Sequence, residues 1–251
     1  VNGQPVFLRG TLDCAVYPRT GHPPTSVMEW QQNLQEIKNH GFNHVRFHTW
    51  CPPEAAFEAA DRIGMYLCPE TAFWVDNWTS EIGLKPQLLG GDEAITDYVR
   101  QEIARISATY GNHPSFAFFC IGNEFGLDSD WETVQELVAE VKKYDPRHLY
   151  NGTTARKHVA ADDFWVTHRT DQSVRGTGPP HTDWDHADAI STTELPVVSH
   201  ETGQHPVFPD YPNLLPKFTG PLRPHNYQRL WNELKAAGLD DQIADFEIAS
   251  A

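Results

Sequence analysis

The chain has 251 residues, 39% hydrophobic and 21% charged, the proportions of a globular domain, and its length is that of one (β/α)8 barrel. A formal net charge of −15 argues against nucleic acid and anionic membrane surfaces as partners. The longest uncharged apolar stretch, around residues 116–122, is too short for a spanning helix.

Short apolar strands alternate with amphipathic helices, the pattern of βα units on a parallel sheet. Asn2, Gly3 and Gln4 read as a turn into a first strand over 6–11, so sequence is expected ahead of Val1. Ser26 and Glu29 have capping-box spacing, and Trp30, Leu34 and Ile37 form a helical stripe ending near Gly41. Residues 44–48 are the second strand. Pro52 and Pro53 open a helix with Ala56, Ala60 and Ile63 on one face and Gly64 as its stop. Residues 65–68 are the third strand, running to Glu70. A loop over 71–91, carrying Trp74 and Trp78, is expected in a pocket wall.

Residues 92–110 are predicted helical, with Val99, Ile103 and Ile106 inward and Gly111 and Asn112 as terminator. The fourth strand spans 116–121. Ser129 and Glu132 make a second capping box, for a helix with Trp131, Val134, Leu137, Val138 and Val141. A short fifth strand, 149–150, ends at Asn151; the sixth is 164–168; Val197 and Val198 lead the seventh to Glu201. Residues 169–186 form a Gly/Pro/His-rich loop. Asn226 is expected to cap a helix with Tyr227, Leu230, Trp231 and Leu234, and 240–251 read as helical or irregular. The count stops at seven strands, which would leave two unpaired edges on a sheet with barrel twist. The expectation is a (β/α)8 TIM barrel truncated before its eighth strand.

Two of these strands turn abruptly polar at a glutamate, Glu124 after the fourth and Glu201 after the seventh. In a parallel barrel, catalytic groups come from the C-terminal ends of several strands. Two carboxylates on one face suit glycoside hydrolysis, with retention at a separation of about 5–5.5 Å and inversion at about 6.5–9.5 Å. Glu124 leaves a very apolar strand, which suits an acid; Glu201 adjoins His200, and an Arg such as Arg46 would keep it ionised.

The stretch Asn2-Gly3-Gln4-Pro5 into Gly10 resembles the passage of family 2 glycoside hydrolases from β-sandwich domains into the barrel. Residues 43–48 resemble that family's second strand, which brings an Arg and a polar residue to the pocket. Tyr110-Gly111-Asn112-His113-Pro114-Ser115, followed by Gly122-Asn123-Glu124, is similar to its fourth-strand signature. The resemblance runs from Val1 to about Gln204. It implies that Glu124 is the acid/base, that Asn123 contacts a sugar 2-hydroxyl and that Glu201 is the nucleophile. It further implies that residues 1–251 are the catalytic barrel domain of a larger β-galactosidase- or β-glucuronidase-like enzyme. Its partners would then be a carbohydrate substrate and β-sandwich domains of the same chain, with no cofactor. The Ser-His-Glu-Thr-Gly wording around Glu201 and the missing aromatic-bearing eighth strand depart from the family pattern.

Further pocket candidates are Arg46, His48 and Trp50 after strand two, where Arg46 and His48 share a side. Arg46 would orient the nucleophile or a sugar hydroxyl, or support a carboxylate such as Glu70, itself a sugar contact or an ion-pair partner. Asn151 and His168 end strands five and six, His200 adjoins Glu201, and Trp74 is either loop packing or a stacking platform. Arg46, Arg169 and Arg175 together would suit an anionic sugar. Thirteen histidines, with His181 and His186 flanking Asp183 and Asp185, raise a metal-dependent barrel hydrolase as one alternative. With no HExxH or Cys-rich ligand set, no metal ligand is assigned. An inactive carbohydrate-binding fragment is the other. The four cysteines read as buried thiols, and the sequons at Asn77 and Asn151 as chance. A polysaccharide-degrading role would favour a periplasmic or secreted protein.

Overall fold

The computed structural model describes residues 3–76, 88–168, 186–201 and 207–250. The readings placed on Asn2, Asn77, Trp78, Arg169, Arg175, His181, Asp183, Asp185, Thr202, Gly203 and Gln204 lie outside them. Two compact units are present.

The larger unit holds all the strands found among the described residues. β1 (Gly10–Asp13), β2 (His44–Phe47) and β3 (Tyr66–Cys68) pair in parallel, with Leu12, Arg46 and Cys68 in register. Single parallel bridges, Leu67 to Phe116 and Glu70 to Cys120, join β3 to β4 (Phe118–Cys120), which pairs with β5 (Leu149–Asn151). β6 (Trp165–Thr167) pairs in parallel with β7 (Val197–Ser199). The Asp163 N–H donates to the Tyr150 carbonyl at 2.8 Å, tying the approach to β6 to β5. This is an α/β parallel fold with all seven predicted strands. Among the described residues neither β1 nor β7 has a second partner strand, and no eighth strand follows β7. The first strand lies later than residues 6–11. The Asn43 side chain accepts from Arg9 N–H (2.8 Å) and donates to the Phe7 carbonyl (3.0 Å), beside the backbone bond from Asn43 N–H to the Arg9 carbonyl (3.0 Å), so side-chain bonds take part of the ladder's place there.

Alternation along the strands makes two faces. Cys68, Phe118, Cys120, Phe164 and Val166 form one apolar cluster, with Leu8, Tyr66 and Val198 against it. Val45, Phe47, Leu67, Phe119 and Tyr150 are also buried, on the alternate positions. Cys68 and Cys120 behave as expected, their thiols pushed up by burial. Cys51 is half-buried and pushed up by burial to about 12, whereas Cys14 is exposed, against expectation, because it lies just beyond the end of β1.

The helices follow their sequence signals with two corrections. α1 (Val27–Asn39) has the predicted Ser26 cap, half of a capping box: Ser26 Oγ accepts from Glu29 N–H at 3.3 Å, but the Glu29 carboxylate takes the Ser26 hydroxyl proton at 2.6 Å, and Trp30 and Leu34 are buried. α2 (Glu54–Ile63) stops at Gly64, whose φ of 71° only glycine adopts freely. α3 (Glu93–Tyr110) is capped by Asp92 and buries Val99, Ile103 and Ile106. α4 (Trp131–Tyr144) starts one residue later than predicted. Its cap is Asp130, which accepts from Glu132 and Thr133 N–H groups, not Ser129, whose hydroxyl donates to Asp76 at 3.3 Å. A carboxylate near the helix N-terminus also gains from the macrodipole. α5 (Ala187–Ser191) precedes β7.

The smaller unit, in its described part, comprises residues 16–23, Glu201 and 207–250. Its elements are α6 (Tyr211–Leu214), a 3-10 turn (Leu215–Lys217), α7 (His225–Ala236), a second 3-10 turn (Asp240–Gln242) and α8 (Ile243–Ser250). Asn226 is inside α7, whose cap position is Pro224 and carries no side-chain capping bond. Tyr211 stacks on Trp231 at 6.1 Å, and Phe208 lies 5.2 Å from Phe246.

Candidate active site

β2 delivers Arg46 to the centre of a buried polar network. Its Nε donates to Glu70 Oε1 at 2.6 Å and its Nη2 to Glu70 Oε2 at 3.2 Å. Glu70 is fully buried and takes a third bond from Thr49 N–H at 2.7 Å. Thr49 turns to φ 57° at this point. Burial alone would lower the Arg46 pKa, but the charge and hydrogen bonds of Glu70 more than reverse it, so the guanidinium is held ionised. A buried charge needs such pairing. Of the two readings of Glu70, the geometry is that of the ion-pair partner.

β4 delivers Asn123 and Glu124. Arg46 Nη2 also donates to Asn123 Oδ1 at 2.6 Å and to Thr154 Oγ1 at 2.9 Å, and Thr154 Oγ1 donates to Asn123 Oδ1 at 2.5 Å. The backbone is laced the same way. Glu124 N–H donates to the Thr154 carbonyl, Thr154 N–H to the Gly122 carbonyl, and Asn123 N–H to the Phe73 carbonyl, at 3.0, 3.1 and 3.0 Å. Asn123 and Glu124 are therefore pinned from both sides, by the segment after β3 and the segment after β5. Gly122 permits this close approach, since a Cβ there would lie 2.8 Å from the Phe73 carbonyl oxygen and 2.5 Å from the Phe125 ring.

The segment after β7 brings His200, only 1% exposed. Its Nδ1 lies 3.5 Å from Arg46 Nη1 and its Nε2 lies 3.6 Å from Glu124 Oε1. Arg46 can only donate, so Nδ1 is the accepting nitrogen and Nε2–H faces the Glu124 carboxylate. His200 thus sits between Arg46 and Glu124. Glu201 follows it directly in the chain.

Seven non-glycine residues have positive φ among those described: Ala15, Thr49, Asp76, Glu124, Ala155, Arg156 and Glu201. All lie beyond the C-terminal ends of strands. Each such residue costs on the order of 1–3 kcal/mol and collects at functional sites. Glu124 (φ 45°) and Glu201 (φ 47°) are both among them.

The remaining candidates divide. His48 is half-buried, with its ring edge-on to Trp74 at 6.2 Å, and Trp74 is 51% exposed. His168 is half-buried, with its ring 6.0 Å from that of His200. Trp50 instead packs against Trp30 and Phe47 and donates its indole N–H to the Asp13 carbonyl. Asn151 is fully buried below the strand ends; it donates to Asp162 and the Phe164 carbonyl and accepts from the Cys120 thiol. Residue reasoning missed Thr49 and Thr154, because a threonine after a strand carries no chemical signature until the fold places it.

The chain is 29% identical to a β-galactosidase of Aeromonas hydrophila over 147 residues, 58% of this chain and 13% of that protein. It is 22% identical to a β-galactosidase of Lactococcus lactis over 158 residues, 62% of this chain and 15% of that one. The chain thus spans a small fraction of the length of these curated relatives. The structure of an FMN-binding β-glucuronidase from Facaelibacterium prausnitzii L2-6 superposes with a TM-score of 0.52 at 20% identity, over 65% of this chain and 25% of that chain; it speaks for the fold alone. The sequence model of "Glycosyl hydrolases family 2, TIM barrel domain" matches residues 1–201, and the chain belongs to that family.

Proposed function

We propose that this chain is the catalytic barrel of a retaining β-glycosidase, with Glu124 as general acid and base and Glu201 as nucleophile. Glu124 donates a proton to the leaving oxygen while a Glu201 oxygen bonds to the anomeric carbon and the glycosidic C–O bond breaks. Water then gives its proton to Glu124, attacks the anomeric carbon and releases Glu201. One observation carries the reading. A buried hydrogen-bonded network of Arg46, Glu70, Asn123 and Thr154, with His200 against it, leads to Glu124, and the residue after His200 is a second glutamate with the same strained backbone. Such rigid support is what a group that must hold a fixed attack geometry requires. Family membership supports the same reaction class. The short coverage of the curated relatives supports a larger parent chain with further domains, and residues 1–251 as one catalytic domain within it.

The test is a pair of variants assayed on aryl β-glycosides. Glu201→Gln should lower kcat by at least about 10³-fold with an unchanged unfolding transition. Glu124→Ala should lose about 10²–10⁴-fold on poor leaving groups and far less on good ones. Wild-type rates in Glu201→Gln, or equal losses across leaving groups in Glu124→Ala, would contradict the roles.

A further inference from the structure

We propose that Thr154 is a positioning residue that fixes the orientation of the Asn123 amide, an inference that rests on the glycosidase reading above. The side-chain amide of asparagine has two faces of nearly equal shape and opposite polarity. Arg46 has only donors, so the Asn123 atom 2.6 Å from Nη2 is the carbonyl oxygen. Thr154 Oγ1 accepts from the same Nη2 at 2.9 Å. Its single proton is therefore free to point at Asn123 Oδ1, 2.5 Å away. Oδ1 then receives two hydrogen bonds, one per lone pair.

The consequence falls on the other end of the amide. Asn123 is fully buried, and its Nδ2 has no hydrogen-bond partner among the described residues. A buried donor left unpaired costs about 1–3 kcal/mol. The two threonine- and arginine-derived bonds hold it there, as a donor that a sugar oxygen would satisfy. The same residue anchors the backbone next door, through the Glu124 N–H bond to its carbonyl. Exchanging only the side chain separates the two effects, because that backbone bond is retained.

The experiment uses the full chain and measures kcat/KM on an aryl β-glycoside. Thr154→Val keeps the shape and loses the proton; it should lower kcat/KM about 10–100-fold, with Thr154→Ser restoring most of the loss. In the double variant Thr154→Val/Asn123→Ala, the loss should match that of Asn123→Ala alone, since coupled residues are not additive. If Thr154→Val does not fold, Thr154→Ala takes its place with the same expectation. A Thr154 variant with kcat/KM within about twofold of wild type, or losses in the double variant that multiply, would overturn the inference while leaving the glycosidase reading intact. A wild-type chain without glycosidase activity would overturn both.

Discussion

At the scale of single residues, the Arg46–Glu70 pair decides whether the site stands. Both side chains are almost inaccessible, and Arg46 reaches Glu70, Asn123, Thr154 and His200 from one guanidinium. Glu70→Gln would leave a buried guanidinium without its countercharge, which costs about 3–5 kcal/mol when one partner of a buried pair is removed. Urea unfolding should show that loss, and Glu70→Gln/Arg46→Met should recover part of it. A Glu70→Gln change below about 1 kcal/mol would mean that the pair is not desolvated. The sequence made Arg46, Asn123, Glu124 and Glu201 visible, because each ends an apolar run with a polar group. It left Glu70 open between sugar contact and ion pair, since that choice depends on how far β3 reaches beside β2. Thr154 was invisible for the reason that its role exists only across strands.

At the scale of elements, α4 shows how local rules compete. Ser129 and Glu132 have the right spacing for a box, yet Asp130 captures both first-turn N–H groups and Ser129 is drawn to Asp76. Asp130→Ala should therefore cost about 1 kcal/mol, and Asp130→Asn much less; equal costs would assign the loss to something other than capping. The turn after β4 is under tighter control. Gly122→Ala would press a methyl group against Phe125 and the Phe73 carbonyl, and such overpacking costs typically about 1–3 kcal/mol. Because Gly122 also accepts from Thr154, activity should fall with stability, and an unchanged melting temperature would contradict the packing argument. Strands two to seven were legible because their apolar runs are short and bounded. The first was placed early because nothing in residues 6–9 announces that the Asn43 side chain will occupy their backbone groups.

At the scale of the whole molecule, burial couples the interior of the larger unit to pH. His44 lies within the strands, edge-on to Phe118, and burial lowers its pKa from 6.5 to about 4, with the Arg46 charge adding to the fall and a backbone bond to Tyr66 opposing it. A histidine depressed in the folded state stabilises fully above the unfolded value of about 6.5 and loses that contribution as pH falls toward 4. Asp162 works the other way. Burial raises it from 3.8 to about 6, against the pull of its bonds from Val159 and Gly152, so its contribution is greatest below 3.8 and is lost as pH rises through 6. The two oppose each other between pH 4 and 6.5. The unfolding free energy of wild type minus that of His44→Gln should drop by roughly 3 kcal/mol from pH 7 to pH 4; a difference that does not change with pH would contradict a neutral, buried His44. The parallel βα architecture itself was readable from alternation of strand and helix, whereas the reach of each strand end was not, since it is set by neighbours far away in sequence.

Glu201 as nucleophile is tested by peptide mass spectrometry of the full chain after reaction with a 2-deoxy-2-fluoro aryl β-glycoside, whose slow deglycosylation lets a glycosyl-enzyme accumulate. The expected result is one added sugar mass, on the peptide containing Glu201 and absent in Glu201→Gln. A sugar on any other carboxylate, or turnover with no adduct and an inverted product, would contradict it.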